Sequence, residues 1–157
     1  MSKLEIIWPD YYHPKHSHMH VCNQIEIPES PEKVWQHLVR APAWRHTKTM
    51  VQILNGDHTL CKNTMFRWKT STVDFHCTVV EYVPNQRLAW RGKKGDVNMY
   101  HAWVLEPTNI GCNIITESTQ RGGMTWLTKY FSQSSLKNYH RKWLEELCMQ
   151  SHENGNK

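Results

Sequence analysis

Near residue 122 the sequence changes period. From residue 50 to residue 121 apolar residues recur at alternate positions between short turn signals, whereas after Gly122-Gly123 no glycine or proline occurs until Gly155. Alternation is the mark of strand, because successive side chains point to opposite faces. The later stretch carries Leu136, His140, Trp143 and Leu147 at spacings of four, three and four, with Tyr139 and Leu144 widening the stripe. That is the pattern of an amphipathic helix. Over residues 124–150 such a helix is roughly 40 Å long at 1.5 Å per residue. Ser132-Gln133-Ser134-Ser135 is where it can kink or restart, since serine competes for backbone hydrogen bonds.

The strand-like half divides at its turns. Residues 50–54 end at Asn55-Gly56-Asp57, a tight-turn signal. Residues 64–70 alternate Phe66 and Trp68 against Met65, Arg67 and Lys69. Residues 73–83 stop at Pro84-Asn85, 87–91 return as a short strand, and 100–106 and 112–120 flank the turn Pro107 to Gly111. Short connections of this kind imply an antiparallel meander. Upstream, Met19, Val21, Asn23, Ile25 and Ile27 share one face of a first strand that ends at Pro28. A helix start follows, with Ser30 as N-cap, Pro31 at the first helical position and Glu32 at the positive end. Val34, Trp35 and Leu38 supply its apolar stripe. Ala41 precedes Pro42 and is pushed out of helical geometry, so a second short helix is expected only over residues 43–47. The first 17 residues, with Trp8, Pro9, Tyr11, Tyr12 and Pro14, read as an irregular arm packed on the domain.

A chain of 157 residues holds one domain of ordinary size. The expected organisation is an arm over 1–17, a domain over 18–151 and a flexible tail over 152–157. The 39% hydrophobic and 21% charged fractions are those of globular proteins. The longest apolar run, Ala102 to Leu105, is far short of the roughly 20 residues of a spanning helix. The start, Met-Ser-Lys-Leu-Glu5, carries charge where a signal peptide needs an apolar stretch, so a cytoplasmic location and no membrane span are expected.

Charge and cysteine are less informative. Nineteen Lys and Arg against fourteen Asp and Glu give +5, but in pairs and triplets such as Arg91, Lys93, Lys94 and His140, Arg141, Lys142. No nucleic-acid arm is expected from so scattered a surplus. The five cysteines have neither Cys-x-x-Cys nor zinc-finger spacing and read as reduced thiols. In His13-Pro-Lys-His16-Ser-His18-Met-His20 the last three histidines alternate, which in a strand sets neighbours about 6–7 Å apart, too far to chelate one ion without distortion. The run reads as an exposed edge, and no metal or cofactor is expected. Walker, dinucleotide, Gly-x-Ser-x-Gly and His-Glu-x-x-His motifs are all missing, which excludes hydrolases and kinases of those types.

Three segments carry a family resemblance. Ile25-Glu-Ile-Pro-Glu-Ser-Pro31-Glu-Lys-Val-Trp35, Val79-Val-Glu-Tyr-Val-Pro84-Asn-Gln-Arg-Leu88-Ala-Trp90 and Trp103-Val-Leu105-Glu-Pro107-Thr-Asn-Ile-Gly111 resemble junctions of the START-like, or SRPBCC, superfamily, which includes polyketide cyclases and dehydrases. The resemblance covers residues 19–150 and implies the α+β helix-grip fold: a curved antiparallel sheet of about six to seven strands around a long C-terminal helix, with two short helices after strand one. Asn63 departs from it, standing before a strand where glycine is common.

Members of that superfamily often keep a pocket under the concave face of the sheet. Strand parity places Phe66, Trp68, Leu88, Trp90, His101, Trp103, Leu105, Ile114, Thr116 and Ser118 on that face, and Trp126 and Tyr130 are expected to close its mouth. Parity leaves the side of Asp74, His76 and Glu117 open. Eight tryptophans against three phenylalanines is an inverted ratio; each indole buries a large area yet carries an N–H that wants an acceptor. The rings either surround a ligand or fill the gap. The leading expectation is binding of a small hydrophobic ligand, lipid or polyketide-like. The alternatives are a cyclase or dehydratase with His101 as acid/base, and a protein-interaction module of co-chaperone or ribosome-associated type. Ligand identity and oligomeric state are not legible.

Overall fold

Seven strands form a single antiparallel sheet: β1 (Met19–Ile27), β2 (Met50–Ile53), β3 (Met65–Lys69), β4 (Asp74–Val83), β5 (Arg87–Lys94), β6 (Val97–Pro107) and β7 (Cys112–Arg121). The computed structural model describes residues 4–40, 50–70, 74–122 and 133–153, with side chains given at 137–149 and 151 of the last stretch. The strand order is β1-β7-β6-β5-β4-β3-β2, a meander whose last strand pairs with the first. Helix α1 (Pro31–Val39) follows β1, and helix α2 (Gln133–Glu153) packs against β1 and α1. The expected short helix at 43–47 and the first turns of the long helix lie outside the described residues.

Each helix end and turn has a local cause. The Ser30 hydroxyl accepts from the Lys33 N–H, and Pro31 needs no amide partner at the first helical position. Val34, Trp35, Leu38 and Val39 are the buried side of α1. Asn63, the departure noted above, has φ of 70°, a left-handed value that glycine takes freely and asparagine tolerates better than most residues. Gly111, in the β6–β7 turn, is there for closeness: a Cβ would lie 2.2 Å from the Ile27 carbonyl oxygen and 2.5 Å from the Glu29 amide nitrogen.

The sheet is covered on both faces. On one, Trp90, Trp103, Phe66 and Leu88 pack with Trp143, Leu144 and Leu147 of α2 and with Val34 and Leu38 of α1. On the other, Ala89, Tyr100 and Ala102 are covered by Ile6, Trp8 and Tyr12 of the N-terminal segment, which makes two short 3-10 turns. Tyr100 is the anchor, with ring centroids 5.6 Å from Trp8 and 5.3 Å from Tyr12. Backbone carbonyls of the segment accept from Arg87 (at Glu5), Thr119 (at Tyr12) and Arg121 (at Tyr11). Among the described residues no helix is long and apolar enough to cross a membrane.

Candidate functional site

The concave face is built by register. Leu88 stands opposite Trp103, Trp90 opposite His101, His101 opposite Ser118, Trp103 opposite Thr116 and Leu105 opposite Ile114. Phe66 and Trp68 of β3, opposite Cys77 and Phe75 of β4, extend the same face. All ten of these predicted residues are buried, and they are brought together beneath α2. Trp126 and Tyr130 lie outside the described residues.

Helix α2 contributes His140, Trp143, Leu144 and Leu147, all buried. Trp143 is the hub: its ring centroid lies 5.0 Å from that of Trp103, 5.4 Å from His101, 5.9 Å from Trp68 and 6.2 Å from Trp90. The His101 ring stacks on Trp103 at 5.2 Å and on His140 at 4.5 Å. Tilted and edge-on pairs dominate, the arrangements that ring quadrupoles favour.

His101 is 0% exposed. Burial, and secondarily the charge of His140, lower its pKa well below the ordinary imidazole value, so the ring is neutral at physiological pH. Its Nε2 lies 2.7 Å from Thr116 Oγ1. If Nε2 donates, Nδ1 is a free acceptor; if Nε2 accepts, Nδ1 carries the proton and is a free donor.

Other polar atoms of this face are in the same position as that Nδ1. Trp68 Nε1, Trp103 Nε1, Ser118 Oγ and Gln120 Oε1 are buried without a hydrogen-bond partner among the described residues. Buried polar atoms are nearly always paired, and leaving one unmet costs about 1–3 kcal/mol. Five such atoms on one face are therefore an open set of donors and acceptors set among aromatic surfaces.

Two further residues join the predicted lining. His140 belongs to the apolar stripe of α2; the readable signal was a titratable residue on an otherwise apolar helix face. Gln120 continues the run 114, 116, 118 by one more step. Asp74, His76 and Glu117 lie on the opposite, convex face. Asp74 is held by Arg67, and Glu117 Oε1 lies 2.8 Å from His20 Nε2. The histidine run is dispersed: His13 Nδ1 accepts from Lys15, His18 Nδ1 accepts from Gly122, and His20 meets Glu117 beneath Trp8. His20 is thus half-buried, not part of a freely exposed edge.

The relatives share this frame. A hypothetical protein of Helicobacter pylori matches with a TM-score of 0.82 at 28% identity, over 96% of this chain and 99% of its own. Protein MLL2253 of Mesorhizobium loti matches with a TM-score of 0.67 at 17% identity, over 86% and 97% respectively. DynU16, from the dynemicin biosynthetic locus, matches with a TM-score of 0.63 at 13% identity, over 83% of this chain and 46% of its own. No curated protein matches the sequence. The family model described as polyketide cyclase/dehydrase and lipid transport aligns with residues 18–147, and the chain belongs to that family.

Proposed function

We propose that the protein binds a small hydrophobic or aromatic molecule, lipid or polyketide-like, between the concave face of the sheet and α2. The observation that carries this reading is the set of five buried polar atoms without partners among the described residues: Trp68 Nε1, Trp103 Nε1, His101 Nδ1, Ser118 Oγ and Gln120 Oε1. Aromatic walls with a few convergent polar groups are what a small-molecule site requires. Because His101 is neutral, it offers a ligand a hydrogen bond and not a counter-ion. Hydroxyl and carbonyl groups suit that environment better than a carboxylate, whose burial without a cation is costly.

The test is a titration of tryptophan emission with fatty acids, flavonoids and aromatic polyketides. Saturable quenching by the hydroxylated aromatic members is expected, with a matching rise in thermal midpoint. Flat emission and an unmoved midpoint across the whole panel would remove the reading.

A cyclase or dehydratase activity is the second reading. The His101–Thr116 contact favours it, since an imidazole held by a hydroxyl keeps its second nitrogen free to give or take a proton. A depressed pKa makes His101 a weak base, however, so it supports this reading less than simple binding. Substituting His101 by Gln should abolish turnover of a cyclising substrate; retained turnover rules the role out. An interaction module needs no unpaired polar atoms inside, and the five found here favour it least.

A further inference from the structure

The convex face carries a charge pattern that the interior does not use. Across five neighbouring strands Arg67 stands opposite His76, His76 opposite Lys93, Lys93 opposite Asn98, and Asn98 opposite Arg121. In the next row Arg91 lies between Thr78 and Tyr100. Like charges side by side on a sheet are destabilising, so such a row calls for compensation.

At its two ends compensation is present. Arg67 is paired with Asp74, and Arg121 both donates to the Tyr11 carbonyl and lies 4.2 Å from the centre of the Tyr11 ring. In the middle it is weaker: among the described residues Arg91, Lys93 and His76 form no ion pair, and His76 has only the through-space attraction of Asp74. These three surround a cleft of about 270 Å³, which Thr78, Asn98 and Tyr12 of the N-terminal segment complete.

We propose that this cleft is a second binding site, on the opposite side of the sheet from the interior, for a phosphate-bearing anion. A guanidinium, an ammonium and an imidazole meet there with a phenol, a hydroxyl and an amide, and no carboxylate lines the cleft. That is more donors than the two oxygens of a carboxylate can use, and it suits the several oxygens and multiple charge of a phosphate. Because Tyr12 forms one wall, the N-terminal segment is part of the site and not only a cover for Tyr100.

Inorganic phosphate and pyrophosphate, added to the full chain and followed by amide NMR, test the proposal. Saturable shifts centred on Arg91, Lys93, Asn98 and Tyr12 are expected. Arg91 and Lys93 are exposed, so the double variant Arg91→Gln, Lys93→Gln should stay folded and bind about tenfold or more weakly. Equal shifts from sodium chloride at matched ionic strength, or unchanged affinity in the double variant, would overturn the proposal. Phosphatidylcholine vesicles with and without a phosphatidylinositol phosphate separate the sources. Vesicle binding that pyrophosphate displaces assigns the site to a lipid headgroup, and phosphate binding without vesicle binding assigns it to a free phosphate compound. Vesicle binding that persists in the double variant would overturn the proposal.

Discussion

The imidazoles of His101 and His140 stack with ring centroids 4.5 Å apart, one from the middle of strand β6 and the other from helix α2. A protonated ring at this depth would lack both water and a carboxylate, which is why burial leads the causes that lower the His101 pKa and the neighbouring histidine adds to it. As pH falls, the unfolded chain takes up a proton at His101 before the folded one does. The residue's contribution to stability is therefore complete above about pH 6.5 and declines below it toward the folded pKa, by at most about 1.4 kcal/mol per pH unit. Urea unfolding at a series of pH values should show the wild type losing stability below pH 6.5 more steeply than His101→Gln. Parallel curves would contradict this.

Trp143 joins sheet to helix through rings on three strands. Replacing it with alanine should cost about 3–5 kcal/mol in urea unfolding, in line with large aromatic deletions in cores. Phenylalanine in its place should cost less, since a ring remains between Trp90 and Trp103.

Two glycines separate rigid from yielding surroundings. At Gly111 the atoms that a Cβ would strike are all backbone, at 2.2 to 2.9 Å. At Gly92 the nearest is the Met99 methyl at 2.6 Å, the far end of a flexible side chain. Gly111→Ala should destabilise by roughly 1–3 kcal/mol or more, and Gly92→Ala by clearly less, in the same unfolding assay.

On the convex face, the Tyr100 phenol is raised above its ordinary pKa by burial first, then by Glu81 and Tyr12, against the pull of Arg87. Trp8→Ala opens that cover. Absorbance titration at alkaline pH should find Tyr100 ionising nearer the value of a free tyrosine. Stability should fall by about 1–3 kcal/mol.

Much of this was legible because strand parity is a strict rule. Phe66, Trp68, Leu88, Trp90, His101, Trp103, Leu105, Ile114, Thr116 and Ser118 share one face since each strand keeps its alternation. Where the alternation breaks, the sequence is silent. The register shift between Val79 and Glu81 inserts a residue into β4, so Tyr82 turns inward to meet Trp35 at 5.4 Å although counting from Val79 sends it outward. Trp8 and Tyr12 announce a packed segment, but nothing local says that it crosses the convex face, because their partner Tyr100 lies far along the chain. His140 was legible as a member of the helix stripe with Leu136, Trp143 and Leu147, but that spacing does not name its partner His101, which lies far along the chain on β6.

The indole N–H groups of Trp68 and Trp103 offer the most direct view of the interior, since neither has an acceptor among the described residues. Their side-chain resonances should be recorded by ¹⁵N NMR while a hydroxylated aromatic ligand that quenches emission is added. Binding between sheet and helix predicts saturable shifts of both indoles, with a smaller response in Ser118→Ala. Indole resonances unmoved at saturating ligand would contradict it.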